Sequence, residues 1–261
     1  MDLNLKGKRA LVCGSTQGIG KAIALELASL GANITLVARN EEKLKQAVAE
    51  LSAQSTASHN YLVADFSRPD TLQTAINEFS KNNIADILVN NTGGPPGGPA
   101  IDADLSEYIT AFNSHLICNQ VLVQALTPGM KAAGWGRIIN IISTSVRVPI
   151  KGLGVSNTIR GAVASWAKTL SIELAPFGIT VNNVLPGLTL TSRLEWLIAS
   201  RAEKEGRTQE DIKSEMLKEI PAGRFAQTSE IAAAIAFLAS PAADYINGIN
   251  ITVDGGKTPS L

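Results

Sequence analysis

From residue 9 the chain reads Arg9-Ala10-Leu11-Val12-Cys13-Gly14-Ser15-Thr16-Gln17-Gly18-Ile19-Gly20-Lys21-Ala22-Ile23. The β-prone run Arg9–Cys13 leads directly into three glycines spaced Gly-x-x-x-Gly-x-Gly, and a helical pattern starts among them. Ile19, Ala22, Ile23, Leu27 and Leu30 recur at steps of three and four, with Lys21, Glu26 and Ser29 on the opposite side. Gly31 follows where a helix C-cap belongs. Glycines let the backbone turn tightly and approach a pyrophosphate, while the helix N-terminus offers free N–H groups and partial positive charge. A glycine triplet alone also serves packing turns. The strand before it and the helix after it make this one a dinucleotide turn.

Outward from this unit, short apolar runs alternate with segments of helical period. The predicted strands are Arg9–Cys13, Ile34–Ala38, Tyr61–Ala64, Asp86–Val89, Arg137–Ile142, Thr180–Val184 and Ile249–Val253. Several are continuously apolar, as parallel strands covered on both faces are. Beyond the first helix, others are expected at 41–52, 70–81, 105–132, 155–175 and 229–239. Steady alternation predicts an α/β fold: a Rossmann-type, doubly wound parallel sheet of seven strands with helices on both faces. Ligands then bind at the carboxyl ends of the strands. No repeat, low-complexity tract or linker divides the chain, so one NAD(P)-binding Rossmann domain over 1–261 is expected.

Composition narrows the function classes. Of 261 residues 45% are apolar, enough for a packed core, and 23 basic residues balance 23 acidic ones. With no basic stripe, nucleic acid is not an expected partner. No apolar run approaches the roughly 20 residues of a membrane span, and the first residues lack a secretory pattern. A cytoplasmic protein with two free thiols, Cys13 and Cys118, is the expectation. No metal site is expected.

Further landmarks fall in register with the glycine turn. They are Asp65 after strand three, Asn90-Asn91-Thr92-Gly93 after strand four, Gly136-Arg137-Ile138-Ile139-Asn140-Ile141-Ile142-Ser143, Gly178-Ile179-Thr180-Val181-Asn182, Pro186-Gly187 with Thr191, and Ile246-Asn247-Gly248 through Asp254-Gly255-Gly256. Together they resemble the short-chain dehydrogenase/reductase family over about 250 residues. The resemblance implies a cofactor site of Gly14, Ser15, Gln17, Gly18, Ile19 and Gly20. It adds Asp65 at the adenine, Asn90, Asn91 and Gly93 after strand four, and Pro186, Gly187 and Thr191 at the nicotinamide end. An acid about 20 positions beyond the turn would select NAD(H). Ala38 stands there instead, and Arg39 is placed to pair with a 2′-phosphate, so NADP(H) is preferred over NAD(H). A solvated arginine at a strand end is the alternative.

The family's catalytic set is Asn, Ser and Tyr-x-x-x-Lys, with tyrosine as general acid or base. Counting thirteen from Ser143 reaches Ser156, and four further stands Arg160, giving Ser-x-x-x-Arg. These two share one helix face. The asparagine position holds His115, with Asn113 two residues before it. Arg160 keeps a permanent charge that reaches ribose hydroxyls, but it does not act as a proton carrier at ordinary pH. Ser143 orients a substrate oxygen or merely caps its strand. His115 is an acid–base group or a buried structural histidine. The pattern is similar to a subgroup near β-ketoacyl carrier-protein reductases that lacks their tetrad.

The loop Thr92–Pro99, rich in glycine and proline, reads either as a substrate wall or as a rigid turn. Residues 192–219 stand where relatives carry a substrate lid, and their charges read as a solvated face. Arg147 and Lys151 are possible rim charges. The leading expectation is an NADP(H)-dependent oxidoreductase on an unknown carbonyl or alcohol with altered proton transfer. A nucleotide-binding scaffold or sensor and a non-redox enzyme remain as alternatives. A homo-oligomer, tetramer or dimer, is implied, joined through 105–132, 155–175 and the last strand.

Overall fold

The computed structural model describes residues 1–260. The first half comprises β1 (Arg9–Cys13), α1 (Gly18–Ser29), β2 (Asn33–Ala38), α2 (Glu41–Gln54), β3 (His59–Val63), α3 (Pro69–Asn82) and β4 (Ile87–Asn90). The second comprises α4 (Leu105–Phe112), α5 (Cys118–Ala133), β5 (Gly136–Ile141), α6 (Gly154–Leu174), β6 (Ile179–Pro186), α7 (Ser192–Glu205), α8 (Gln209–Lys218), α9 (Thr228–Ala239) and β7 (Asn250–Val253). All pairings are parallel and the strand order is β3-β2-β1-β4-β5-β6-β7. The winding direction reverses between β1 and β4, which opens a crevice above their carboxyl ends. The seven-stranded, doubly wound expectation holds.

Both sheet faces are covered. Ile23, Leu27, Leu44, Leu51 and Ile235 of α1, α2 and α9 pack on one side with Leu36 and Ile139 of the sheet. Leu72, Ile76, Leu122, Leu126 and Ala167 of α3, α5 and α6 pack on the other with Leu11, Leu88 and Val181. Each large buried apolar side chain contributes about 1.5–3 kcal/mol, which is why the central strands are apolar at successive positions. No helix of the described residues is long and apolar enough to cross a membrane.

A row of amides crosses the sheet near its carboxyl edge. Asn90 Nδ2 donates to Asn140 Oδ1 at 2.8 Å, Asn140 Nδ2 to Asn183 Oδ1 at 2.9 Å, and Asn183 Nδ2 to Asn250 Oδ1 at 2.8 Å. The register sets these four side by side on β4, β5, β6 and β7. Asn90, Asn140 and Asn183 are buried, so the bonds hold the four strands in one alignment. Asn90 Oδ1 finds no donor among the described residues.

Four expectations change. The helix expected over 105–132 is interrupted at Asn113–Ile117 by a π turn, closed by Cys118 N donating to Asn113 O. The inserted residue re-aims the side chains that follow, as π-bulges at functional sites do. Residues 192–219 form two helices, α7 and α8. Leu194, Ile198, Ile212 and Met216 join these in a small core of their own, a period masked in the sequence by surrounding charge. β3 starts at His59, two residues before the predicted strand, with half-buried His59 Nδ1 accepting from Ile34 N at 3.3 Å. β6 runs on to Pro186 because its pairing with β7 continues that far.

Replacing Asn140→Ala leaves the Asn90 donor and the Asn183 acceptor buried without partners. Urea unfolding should show a loss of about 2–5 kcal/mol. A change below 0.5 kcal/mol or so would show that the amide row adds nothing net to stability.

Candidate functional site

A cleft of about 680 Å³ opens at the carboxyl ends of β1, β2, β4, β5 and β6. Its floor is the glycine turn. Gly14 has φ +58, a conformation open to glycine, and its N–H donates to Val37 O at 2.9 Å. A Cβ at Gly20 would lie 2.1 Å from Gly14 O and 2.7 Å from Asn91 Nδ2, so no side chain fits there. Asn91 Nδ2 donates to Cys13 O at 3.2 Å and Gly14 O at 3.3 Å, clamping the turn from β4. Ser15 is buried beneath, its Oγ accepting from Val37 N at 3.0 Å. No side chain caps α1, and its first turn carries no acid. The N–H groups and partial positive charge there face the cleft, as an anion seat requires.

At one end Arg39 is exposed beside Ala38, and Asp65 lies across from it on the wall. Asp65 Oδ1 accepts from Ser67 N at 2.9 Å, and this bond above all holds its carboxyl below the usual range, with the Arg39 charge a smaller cause.

The other end gathers Ser143, Ser156 and Arg160 on the wall. Ser143 Oγ accepts from Ser145 N at 3.1 Å, which starts a short 3-10 turn and leaves the hydroxyl proton free. Arg160 is only 8% exposed, and its Nη1 donates to Ile141 O at 2.9 Å. Burial first, and the Arg193 charge second, lower its pKa to about 10, still cationic at neutral pH.

The structure brings most of the expected residues together. Gly14, Gln17, Gly18, Ile19, Asn91 and Gly93 line the cleft, as do Pro186, Gly187 and Thr191. Ser15, Gly20 and Asn90 support it from behind. His115 does not line it. It is 2% exposed, with Nδ1 2.6 Å from Thr92 Oγ1, and burial, then the Arg160 charge, push its pKa down to about 3. The π turn turns His115 inward and puts Ser114 on the wall instead. Asn113, Arg147 and Lys151 also lie off the cleft. The Thr92–Pro99 loop contributes Thr92 to Pro95 to the wall.

Sequence reasoning missed Arg193. Its neighbours in the charged segment behave as expected: Arg201, Glu205, Arg207 and Glu215 pair with one another at the surface. Arg193 instead turns into the cleft, its Nη2 donating to Pro95 O at 2.8 Å. The available signal was Thr191, whose Oγ1 accepts from Leu194 N and so caps α7, placing Arg193 in a first helical turn where acids are the usual choice.

Comparisons with known proteins agree with this geometry. A family model described as enoyl-(acyl carrier protein) reductase matches residues 14–258. D-beta-hydroxybutyrate dehydrogenase of Rhizobium meliloti is 33% identical over 259 residues, covering 96% of this chain and 98% of that one. The NADPH-dependent reductase BacG of Bacillus subtilis is 29% identical, with 97% and 99% covered. L-sorbose reductase of Gluconobacter frateurii, solved with NADPH and L-sorbose, superposes with a TM-score of 0.94 at 30% identity, all of both chains covered.

The neutral state of His115 has a pH consequence. Its folded pKa is depressed, so the unfolded chain binds the extra proton between about pH 6.5 and 3. Stability therefore falls as pH drops through that window. Relative to each protein's value at pH 7.5, thermal unfolding at pH 4.5 should cost the native chain more than His115→Asn. Parallel curves would show that His115 does not titrate on unfolding.

Proposed function

We propose a function from one premise: the chain belongs to the short-chain dehydrogenase/reductase family. It is an NADP(H)-dependent oxidoreductase, acting on a carbonyl or alcohol with an altered proton-transfer apparatus. The observation that carries this is the cleft, which joins an uncapped helix over a glycine turn to Arg39 at one end and Ser143 with Arg160 at the other. BacG is NADPH-dependent, and L-sorbose reductase is solved with NADPH, which supports the same cofactor here.

The residues present fit NADP(H). The turn at Gly14, Gln17, Gly18, Ile19 and Gly20, with Thr191 against Gly18, suits a pyrophosphate, because the space a Cβ would fill at Gly20 is already taken by backbone. Arg39 takes the 2′-phosphate through its planar fork, and no acid stands at Ala38 to oppose it. Asp65 borders the adenine. Asn90, Asn91 and Gly93 hold the wall, and Pro186 and Gly187 bound the nicotinamide end. NADPH supplies the hydride that a carbonyl carbon accepts.

The chain's own residues do the rest. Ser143 donates its free hydroxyl proton as a hydrogen bond to the substrate oxygen. Arg160 holds a fixed positive charge beside it, which stabilises the negative charge growing there. Ser156 lies on the same face of α6 and completes the polar wall. His115 stays neutral, bonded to Thr92, and acts by holding the π turn and the loop after β4. Because Arg160 stays cationic and serine is weakly acidic, the proton that completes the alcohol comes from solvent. Reduction is slowed relative to a tyrosine-bearing enzyme and not abolished.

The pair α7 and α8 serves as the substrate cover, supported by its separate apolar core. Copies of the chain associate through α4 and α6, where Leu105, Ile109, Phe112 and Ile172 are exposed apolar residues. Loss of the tyrosine and lysine favours the scaffold reading to this extent: it predicts cofactor binding without turnover.

Calorimetric titration with NADPH and NADH, followed by a carbonyl panel, tests the proposal. NADPH should bind with micromolar Kd, and Arg39→Ala should weaken it by about ten- to a hundredfold while leaving NADH within about twofold. Equal losses for both would remove Arg39 as the phosphate reader. Binding without consumption of NADPH by any carbonyl would turn the conclusion to the scaffold.

A further inference from the structure

Arg160 and Arg193 approach one another from α6 and α7. Each places its Nη2 3.8 Å from the point where a side chain on Gly94 would begin. Both line the cleft, and Asp65 is the one carboxylate on the wall, at the opposite end beside Arg39. Each guanidinium spends one N–H on a carbonyl, Ile141 O for Arg160 and Pro95 O for Arg193. Those bonds fix direction without neutralising charge. Among the described residues no carboxylate acts on Arg160, and the charge felt most strongly there is that of Arg193, of the same sign.

Arg160 is a cation buried in the wall, and Arg193, exposed to solvent at the edge of the cleft, sets a like charge beside it, an arrangement that is unfavourable unless something neutralises it. An unpaired buried charge is unfavourable, and a second like charge beside it adds to the cost. The surface arginines Arg201 in α7 and Arg207 in the turn after it each pair with glutamates, so the chain supplies partners freely where it needs them. The missing partner is an anion from outside.

We infer that Arg160 and Arg193, meeting over Gly94, form a carboxylate-binding subsite, so that the substrate is an anionic oxo or hydroxy acid. Which end of the cleft is the substrate's rests on the oxidoreductase reading above. The cofactor's phosphates have their own seats at the N-terminus of α1 and at Arg39. The two guanidiniums flank the loop after β4, on the side of Ser143 and Ser156. A guanidinium fork matches a planar carboxylate, and two of them fix its plane and direction. With the acid held there, its carbonyl falls toward Ser143. Trp196, whose ring lies 5.6 Å from the Arg193 guanidinium, packs against the same side chain from α7. A cover formed by α7 would then close on the substrate through its charge.

The test is calorimetric titration of the protein–NADPH complex with acetoacetate, oxalate and malonate, each beside its methyl ester. At least one acid should bind about tenfold or more tighter than its ester, a difference that Arg193→Gln abolishes with NADPH affinity unchanged. Acids and esters that bind alike, or not at all, would overturn the subsite. So would Arg193→Gln weakening NADPH itself, which would assign that arginine to the cofactor's phosphates. Turnover is read separately. Acetoacetate, the one of the three acids with a reducible ketone, bound at Arg193 while neither it nor any carbonyl of the panel consumes NADPH would keep the subsite and remove the oxidoreductase reading. An ester reduced as well as its acid does the reverse.

Discussion

The N-terminus of α1 reaches the turn after β1 because position 20 carries no side chain. A methyl group there would lie 2.1 Å from the carbonyl of Gly14, and the helix would have to retreat. Asn91 and Ser15 depend on the same contact, one clamping the turn from β4 and the other tying it to β2. With the turn fixed, an uncapped helix end faces the crevice where the winding of the sheet reverses. The rest of the cleft is arranged around that seat. Arg39 and Asp65 lie at the end of the sheet toward β2 and β3, and Ser143 and the arginines toward β5 and β6.

A second constraint acts on the far side. The amides of Asn90, Asn140, Asn183 and Asn250 tie β4 to β7 in one register. Ser143 follows β5 three residues beyond Asn140, and Gly187 follows β6 four beyond Asn183, so the row sets where these residues emerge. Arg160 is fixed from the same strand through Ile141 O.

What could be read from the residues depended on how local the cause was. The glycine turn, α1 and the central strands follow from patterns within about 20 residues, and the structure reproduces them. Ser156 and Arg160 were placed on one helix face by spacing alone, and both line the cleft. The amide row was not legible, because its four members lie on separate strands and meet only once the register is known. Arg193 was hidden for the same reason, since its direction is set by Pro95 O, 98 residues earlier in the chain. His115 looked like a group able to titrate near neutrality. Burial and the Arg160 charge, both products of tertiary packing, remove that capacity.

On the proposed reading, Ser156 stands in the place of the ionisable tyrosine and the fixed charge of Arg160 in that of the lysine, so the site would stabilise negative charge on oxygen without itself delivering the proton. This depends on the cofactor lying along the cleft from Arg39 to Arg160. A crystal structure of the NADPH complex tests that most directly. The account predicts the 2′-phosphate against the Arg39 guanidinium, the pyrophosphate over the N-terminus of α1, and the nicotinamide ring beside Ser143 with its ribose within reach of Arg160. A cofactor bound elsewhere, or in this cleft with its nicotinamide turned away from Ser143 and Arg160, would contradict it.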